Sequence, residues 1–213
     1  MISIPNHIRL LITNQYSYLS SMLYKYPYLH SKWIEEQEKE VKEVANSISN
    51  GEFEGYQSIY QSEMSKFESC SDEELLFNQT MLIMAYSYYE SILMRIAKEE
   101  TLQSSRPSEI AGKHGITLEC EYKDISKYFY NTIRPLRNQL CHNNNGTLFE
   151  RNNDDKEDEM KNIQKLVEGN RIEIIDGRIY IKDSHFIQEI LDKAYKLLLK
   201  LADICGYKTI CLR

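Results

Sequence analysis

Residues 71–98 decide the fold of this chain, and they read SDEELLFNQTMLIMAYSYYESILMRIAK. Ser71 and Glu74 have the spacing of a capping box, which predicts that a helix begins here. The segment is apolar on nearly every side, and this is typical of a helix at the centre of a bundle. Its polar or charged interruptions include Asn78, Gln79, Glu90 and Arg95. Because of them we predict a buried core helix and not a membrane span.

Further helices are predicted before this segment. Apolar residues three and four positions apart predict one helix from about residue 8 and a second helix over residues 29–48. Pro27 is expected to separate the two, because proline cannot continue a helix interior.

Another helix is predicted after the central segment. It should begin at Tyr122, and Pro135 is expected to bend it. The run NNNG at residues 143–146 is expected to end it, because Asn and Gly tolerate a left-handed backbone. Residues 152–159 are predicted to form a charged loop.

The spacing of apolar residues changes near the C-terminus. Residues 171–175 and 178–181 alternate between apolar and polar, and Asp-Gly at 176–177 joins them, which is typical of a tight hairpin. Asp183 or Ser184 is expected to cap a last, strongly amphipathic helix. We therefore predict a mainly α fold, a helical bundle with one β-hairpin before the C-terminal helix.

Length and charge limit the function classes. With 213 residues, the chain is predicted to form a single domain over residues 1–213. Its formal net charge of −6 argues against bulk electrostatic attachment to nucleic acid. Residues 150–159 carry six acids and two bases, whereas residues 113–142 carry five bases and three acids. An anion site is therefore expected in the second stretch.

Cysteine and histidine usage indicates a reduced, cytoplasmic protein without a metal or a cofactor. The five cysteines are scattered and form no Cys-x-x-Cys pair, which argues against a disulfide framework and a zinc site. No Gly-rich phosphate loop supports hydrolysis of ATP or GTP. The N-terminus does not read as a signal peptide, and no association with a membrane is expected.

The strongest candidates for catalytic residues are in residues 133–143, which read IRPLRNQLCHN. On a regular helix, Arg134, Asn138 and His142 lie one turn apart on one face, whereas Arg137 is rotated from His142 by about 140°. The guanidinium and the imidazole can meet at one phosphate only if the helix bends or ends there, or if a second chain completes the site. Histidine suits proton transfer near neutral pH, and arginine suits a phosphate that gains negative charge.

This segment resembles the signature of the HEPN superfamily, in which an arginine and a polar residue are followed, a few positions on, by a histidine. The matching residues here are Arg137, Asn138 and His142. The Tyr-Tyr-Glu run at residues 88–90 is similar to an element on the second core helix of that family. The resemblance rests on these motifs together with their placement on predicted helices.

The resemblance covers residues 71–213 as a HEPN-like core and leaves residues 1–70 as an N-terminal helical elaboration. It implies metal-independent RNA cleavage in a symmetric homodimer, in whose cleft the two copies of the motif face each other. Such proteins are often toxins or abortive-infection nucleases in prokaryotic defence. The implied partners are therefore RNA, a second copy of the chain, and an antitoxin or another defence-system protein.

The resemblance also implies roles for the motif residues. His142 would act as general base for the ribose 2′-hydroxyl or as acid for the leaving oxygen, Arg137 would hold the scissile phosphate, and Asn138 would orient His142. The products would be a 2′,3′-cyclic phosphate and a 5′-hydroxyl. Some toxins of the family carry a tyrosine two places after the histidine, where a partner nucleotidyltransferase silences them. Asn144 occupies that place here, which argues against control by that route.

Other interpretations of these residues stay open. His142 could cap its helix while Arg137 forms a surface salt bridge, and the chain would then be a non-catalytic HEPN-like interaction or RNA-binding dimer module. Glu90 is expected either to be buried and paired with Arg134 or Arg137, or to lie on a thin polar strip. Cys141 is expected to be a small buried hydrophobic residue rather than a nucleophile.

Overall fold

The computed structural model describes most of the chain. The described stretches are residues 2–4, 6–49, 53–65, 70–142, 157–207 and 210–212. Within them, the backbone alone is described at residues 2–4, 70–74, 142, 157–159 and 210–212. None of the helices in these stretches combines the length and the apolar character that crossing a membrane requires.

The described chain is mainly α-helical and has a β-hairpin directly before its last long helix, as predicted. The helices are α1 (His7–Ser49), α2 (Phe53–Ser65), α3 (Cys70–Glu99), α4 (Pro107–Lys113), α5 (Cys120–Tyr128), α6 (Arg134–His142), α7 (Glu157–Glu168) and α8 (Ser184–Ile204). The strands are β1 (Ile2–Ile4), β2 (Ile172–Ile175), β3 (Arg178–Ile181) and β4 (Ile210–Leu212).

The chain divides into two compact units. Residues 21–77 form one of them, and residues 1–20 together with 78–213 form the other. The start of α1 therefore belongs to the same unit as the C-terminal helix. The division predicted from the sequence, with an elaboration over residues 1–70 and a core over 71–213, stays a prediction.

Side-chain contacts show how the first turns of α1 join the larger unit. The Tyr88 hydroxyl on α3 donates to the carbonyl of Ile12 at 3.0 Å. Tyr16 stacks on Tyr195 of α8, with 4.3 Å between the ring centres. The N-terminal segment thus packs on the two longest apolar helices of this unit.

The core of the larger unit is centred on α8. Asp183 caps this helix, because its Oδ1 accepts a hydrogen bond from the backbone N–H of Phe186 at 3.0 Å. The apolar stripe that the sequence predicts for this helix runs from Phe186 to Ile204, and it is buried at every position except Ile204, which is partly exposed. The buried residues of α8 are Phe186, Ile187, Ile190, Leu191, Ala194, Leu197, Leu198, Leu201 and Ala202.

The predicted break at Pro27 is wrong, because α1 runs from His7 to Ser49 with Pro27 inside it. Proline has no N–H to donate to the carbonyl of Leu23, and its ring crowds that carbonyl, at a cost of about 3 kcal/mol. A long helix can absorb one such loss, since each added residue contributes a hydrogen bond at little further cost once the helix has formed. Pro27 is also exposed, so its ring displaces no buried side chain.

The other proline lies next to an irregular helical turn. A π-helical turn, Phe129–Ile133, connects α5 to α6 just before Pro135. Pro135 cannot donate to the carbonyl of Asn131, four residues earlier. That carbonyl instead accepts a hydrogen bond from Nδ2 of Asn162 on α7, at 3.1 Å. The widened turn lets the helix continue through Pro135 into the segment that carries the predicted site.

The predicted hairpin is present. Strands β2 and β3 pair antiparallel, and Ile175 lies opposite Arg178 at the turn. Asp176 and Gly177 have φ values of 49° and 75°. A two-residue type I′ turn requires the left-handed region at both positions, which explains why Asp-Gly occurs there.

Two elements differ from the sequence prediction. Helix α7 begins at Glu157, inside the stretch predicted to be a loop, and its buried Ile163 and Leu166 lie three residues apart.

Near the chain ends, β1 pairs antiparallel with β4, and Ser3 lies opposite Cys211. No local pattern predicts that pair, because each strand has only three residues.

The smaller unit exposes many large apolar side chains. Its buried positions on α1 include Val41, Ala45 and Ser49, at intervals of four residues. The apolar face predicted for residues 29–48 is therefore only partly correct, since Val41 alone among the large residues of that face is buried. Among the described residues of this unit, the large apolar side chains that remain exposed are those of Tyr24, Tyr28, Leu29, Trp33, Val44, Ile48, Phe53 and Leu76.

Candidate functional site

The candidate site is centred on the guanidinium of Arg137. Nη2 donates to Oε2 of Glu90 on α3 at 3.0 Å, and the two form an ion pair. Nη1 donates to Oδ1 of Asn138 at 3.0 Å. The Arg137 Cζ atom also lies 4.8 Å from the ring centre of Tyr86, over its face. Three side chains from two helices therefore hold the guanidinium in one orientation.

Packing between α3 and the segment before α6 brings these groups together. Tyr86 and Glu90 are four residues apart, so they project from one face of α3. Phe129 stacks on Tyr89 of α3, with 4.0 Å between the ring centres. Leu136, directly before Arg137, is fully buried. These apolar contacts place the arginine beside the glutamate.

The ion pair is partly exposed to solvent. The side chain of Arg137 is 22% exposed and that of Glu90 is 42% exposed. Water screens such a pair, so its contribution to stability is small. Burial and the nearby charge of Glu90 raise the pKa of the Tyr86 hydroxyl. That hydroxyl therefore stays protonated at neutral pH and can donate to Glu90 Oε1, 3.5 Å away.

Part of the donor capacity of Arg137 is unused within the described residues. Its Nε is buried and has no hydrogen-bond partner there. Each terminal nitrogen carries two hydrogens, and Glu90 and Asn138 each take one of them. The guanidinium can thus be held in place and still donate to an additional anion.

The structure does not show the side chain of His142, and it places Cys141 differently from the sequence prediction. His142 is the last residue of α6, and its backbone follows Asn138 by one helical turn, but its side chain lies outside the described residues. The predicted meeting of the imidazole with Arg137, and the orientation of that imidazole by Asn138, therefore stay predictions. Cys141 is exposed, so the expectation that it is buried is wrong. It follows Leu140, which faces the core.

Arg134 lies beside the site but does not pair with Glu90. Its Cζ is 5.2 Å from the ring centre of Tyr130, and both side chains are exposed. Of the two partners expected for Glu90, the structure selects Arg137.

A cavity of about 700 Å³ opens next to these residues. Tyr86 and Glu90, which both contact Arg137, form part of its wall, and so does Arg134. A cavity of this size is in the range that binds small molecules. Tyr86 was not among the predicted site residues, although its position one turn before Glu90 on the central helix is the signal that could have identified it.

A second polar cluster surrounds Glu100, which is buried directly after the last residue of α3. Its Oε1 accepts a hydrogen bond from the hydroxyl of Tyr207 at 2.8 Å. Its Oε2 lies 3.0 Å from Nζ of Lys113 and 3.1 Å from Nε2 of His114. Burial alone would raise the pKa of Glu100, but these hydrogen bonds and the neighbouring positive charges outweigh it and lower the pKa.

This cluster also contains the residues best placed to hold a metal ion in the described part of the chain. Ligand atoms of Glu100, His114 and Cys205 lie within 4.8 Å of one another. The sequence did not indicate the group, because its members are scattered along the chain. Burial and the charge of Glu100 raise the pKa of the Cys205 thiol to about 12. With Lys113 already on the carboxylate, these contacts fit a structural network better than a cation site.

The Glu100 cluster predicts a loss of stability in acid. Because folding lowers the pKa of Glu100, its contribution is complete above the ordinary value of 4.5 and is lost as the pH falls through the lowered pKa. We expect the free energy of unfolding to fall below about pH 4.5, and Glu100→Gln to flatten that part of the curve. Urea denaturation at a series of pH values measures this. Glu35→Gln, at an exposed position on α1, is the matched control. A variant curve parallel to wild type would contradict the prediction.

Comparisons with protein-family models, with curated proteins and with solved structures found no match for this chain.

Proposed function

We propose that this protein is a metal-independent endoribonuclease of the HEPN type that acts as a homodimer. The observation that supports the proposal most strongly is the fixed guanidinium of Arg137, held by Glu90 and Asn138 on a helix that ends at His142. An arginine held in this way is already oriented for a phosphate oxygen, so little ordering is needed when RNA binds.

The reaction we propose is an internal transesterification. The ribose 2′-oxygen attacks the phosphorus atom, the bond between phosphorus and the 5′-oxygen breaks, and the products carry a 2′,3′-cyclic phosphate and a 5′-hydroxyl. The imidazole of His142 takes the proton from the 2′-hydroxyl or gives one to the 5′-oxygen. The hydrogens on Nη1 and Nη2 of Arg137 that Asn138 and Glu90 do not take donate to the non-bridging oxygens as these gain negative charge. The step needs no cofactor.

The geometry of α6 supports the proposed dimer. Arg137 and His142 are rotated by about 140° around a regular helix, so a single regular helix would not direct both side chains to the same point. A second copy across a two-fold axis supplies the missing group to each site. We further propose a cytoplasmic role as a toxin or abortive-infection nuclease, with an antitoxin or another defence-system protein as partner.

The direct test is RNA cleavage by the purified protein in EDTA. We expect cleavage that leaves 2′,3′-cyclic phosphate ends, and we expect His142→Ala to reduce its rate by about 10²–10⁴-fold, the usual effect of removing a general acid or base. His185→Ala, at an exposed position on α8, is the control for loss of a histidine. Cleavage that disappears in EDTA, or an unchanged rate in His142→Ala, would contradict the proposal.

A second candidate is a non-catalytic dimer module that binds RNA or another protein. The ion pair favours it, because Glu90 neutralises part of the charge that Arg137 would offer to a phosphate. The net charge of −6 is consistent with it as well. In this case the wild-type protein would form a dimer without cutting RNA, and substitutions at His142 would be tolerated in a cellular assay.

A further inference from the structure

The cavity beside Arg137 combines aromatic and polar surfaces. Its apolar wall includes the buried rings of Tyr86, Tyr89 and Phe129. Tyr130 stands at the cavity with 56% of its surface exposed. Polar groups of the loop between α3 and α4 line another part of the wall, and these residues are Gln103, Ser104 and Ser105. A ligand there would meet a ring face on one side and hydrogen-bonding groups on the other.

The charge of the cavity wall is mainly positive. Arg106, Lys127 and Arg134 line it, whereas Glu90 is its only carboxylate among the described residues. Neither Lys127 nor Arg134 has a carboxylate within salt-bridge distance in the described part of the chain. The carboxylate of Glu90 is already paired with Arg137. The cavity therefore has positive charge that an anionic ligand can neutralise.

We propose that this cavity is a subsite for one unstacked nucleotide of the RNA, with the base against Tyr130 and the phosphate on Lys127 and Arg134. The inference rests on the proposed function, since it identifies the part of the substrate that lies next to the scissile phosphate. Single-stranded nucleic acid sites combine a ring face for a base with cations for a phosphate. Here the ring is that of Tyr130, and the cations have no carboxylate partner among the described residues. Inorganic phosphate or a simple carboxylate would use the cations only.

The position of the cavity relative to Arg137 supports the same assignment. Tyr86 and Glu90 contribute to the cavity wall and also contact the Arg137 guanidinium. A nucleotide in the cavity therefore lies one side chain away from the group proposed to hold the reacting phosphate. The polar loop residues can donate to and accept from the edge of the base, so we expect the subsite to prefer some bases over others.

The test measures binding and cleavage separately. Calorimetric titrations of the wild-type protein with AMP, GMP, CMP, UMP and inorganic phosphate report binding without any reaction. We expect at least one nucleotide to bind more tightly than phosphate, and Tyr130→Ala to weaken that binding by about 10-fold, as for the loss of one stacked base. Tyr24→Ala, at a highly exposed position on α1, is the matched control and should bind like wild type.

Cleavage kinetics on a short RNA give the second measurement. We expect Tyr130→Ala and Lys127→Ala to raise KM with little change in kcat, because they remove substrate binding and leave Arg137 and His142 in place. Lys98→Ala, at an exposed position near the end of α3, is the control for the lost charge.

The possible results separate this inference from the proposed function. A protein that cuts RNA but binds no nucleotide, and whose KM is unchanged in Tyr130→Ala, would overturn the subsite and leave the nuclease intact. A protein that binds a nucleotide through Tyr130 but never cuts RNA would overturn the nuclease and support the subsite. Binding of phosphate as tight as that of every nucleotide would reject the base contact.

Discussion

Replacing Arg137 with alanine is expected to lower the rate of RNA cleavage by about 10²–10³-fold, the usual effect of removing one group that stabilises charge in a transition state. The physical reason is the geometry of its guanidinium, which is held 3.0 Å from both Glu90 and Asn138 and, among the described residues, retains donors without a partner. The loss should appear mainly in kcat, because the charge that Arg137 neutralises develops during the reaction. Stability should change little, since the ion pair is partly exposed.

Two further variants distinguish the effect of the guanidinium's position on activity from the effect of its charge. Arg137→Lys keeps the charge but cannot contact Glu90 and Asn138 in the same fork, so we expect it to lose nearly as much activity as Arg137→Ala. Glu90→Gln can still accept the hydrogen bond but no longer neutralises the arginine, so it should lower KM and reduce kcat modestly. Arg178→Ala, at an exposed position on β3, is the control. Full activity of Arg137→Lys would show that charge alone is needed.

The largest expected effect on stability is that of Phe129→Ala, at the π-helical turn before α6. Phe129 is 1% exposed and stacks on Tyr89 of α3 at 4.0 Å. Its removal leaves a cavity under the turn, and truncation of a buried phenylalanine costs about 3–5 kcal/mol. Because this contact joins α3 to the segment that carries Arg137, activity should fall together with stability.

Urea denaturation followed by circular dichroism measures this effect. Phe53→Ala is a matched control, because the same truncation at a side chain that is 72% exposed should change the free energy of unfolding by about 0.5 kcal/mol or less. Similar losses in the two variants would contradict the assignment of Phe129 to the core. Ile133 and Leu136, at the end of this turn and just after it, are also fully buried.

Local patterns in the sequence were sufficient for several elements of the fold. Asp176 and Gly177 identified the hairpin, because few other residue pairs tolerate two successive left-handed positions. Asp183 and Ser184 identified the start of α8, because either side chain can satisfy a backbone N–H that the helix leaves free, and the structure has Asp183 in that role. Each of these signals acts over a few residues, so no knowledge of the tertiary structure was needed.

Local patterns failed where distant contacts or cooperativity outweighed them. Pro27 is a strong local signal for a helix end, but α1 continues through it. The start of α7 at Glu157 lies in a highly charged stretch, and the buried Ile163 and Leu166 on its later turns anchor it. The pairing of β1 with β4 joins the two ends of the chain, and no rule of short range can predict it.

The sequence by itself determined the order of Arg137, Asn138 and His142 along one predicted helix, because residue order and spacing are properties of the chain alone. It left Glu90 with two possible partners. The tertiary structure decided between them, because the packing of Phe129 on Tyr89 places Arg137, 47 residues away along the chain, within 3.0 Å of Glu90. The tertiary structure also creates the cavity and the Glu100 cluster, because these sites form only where separate helices meet.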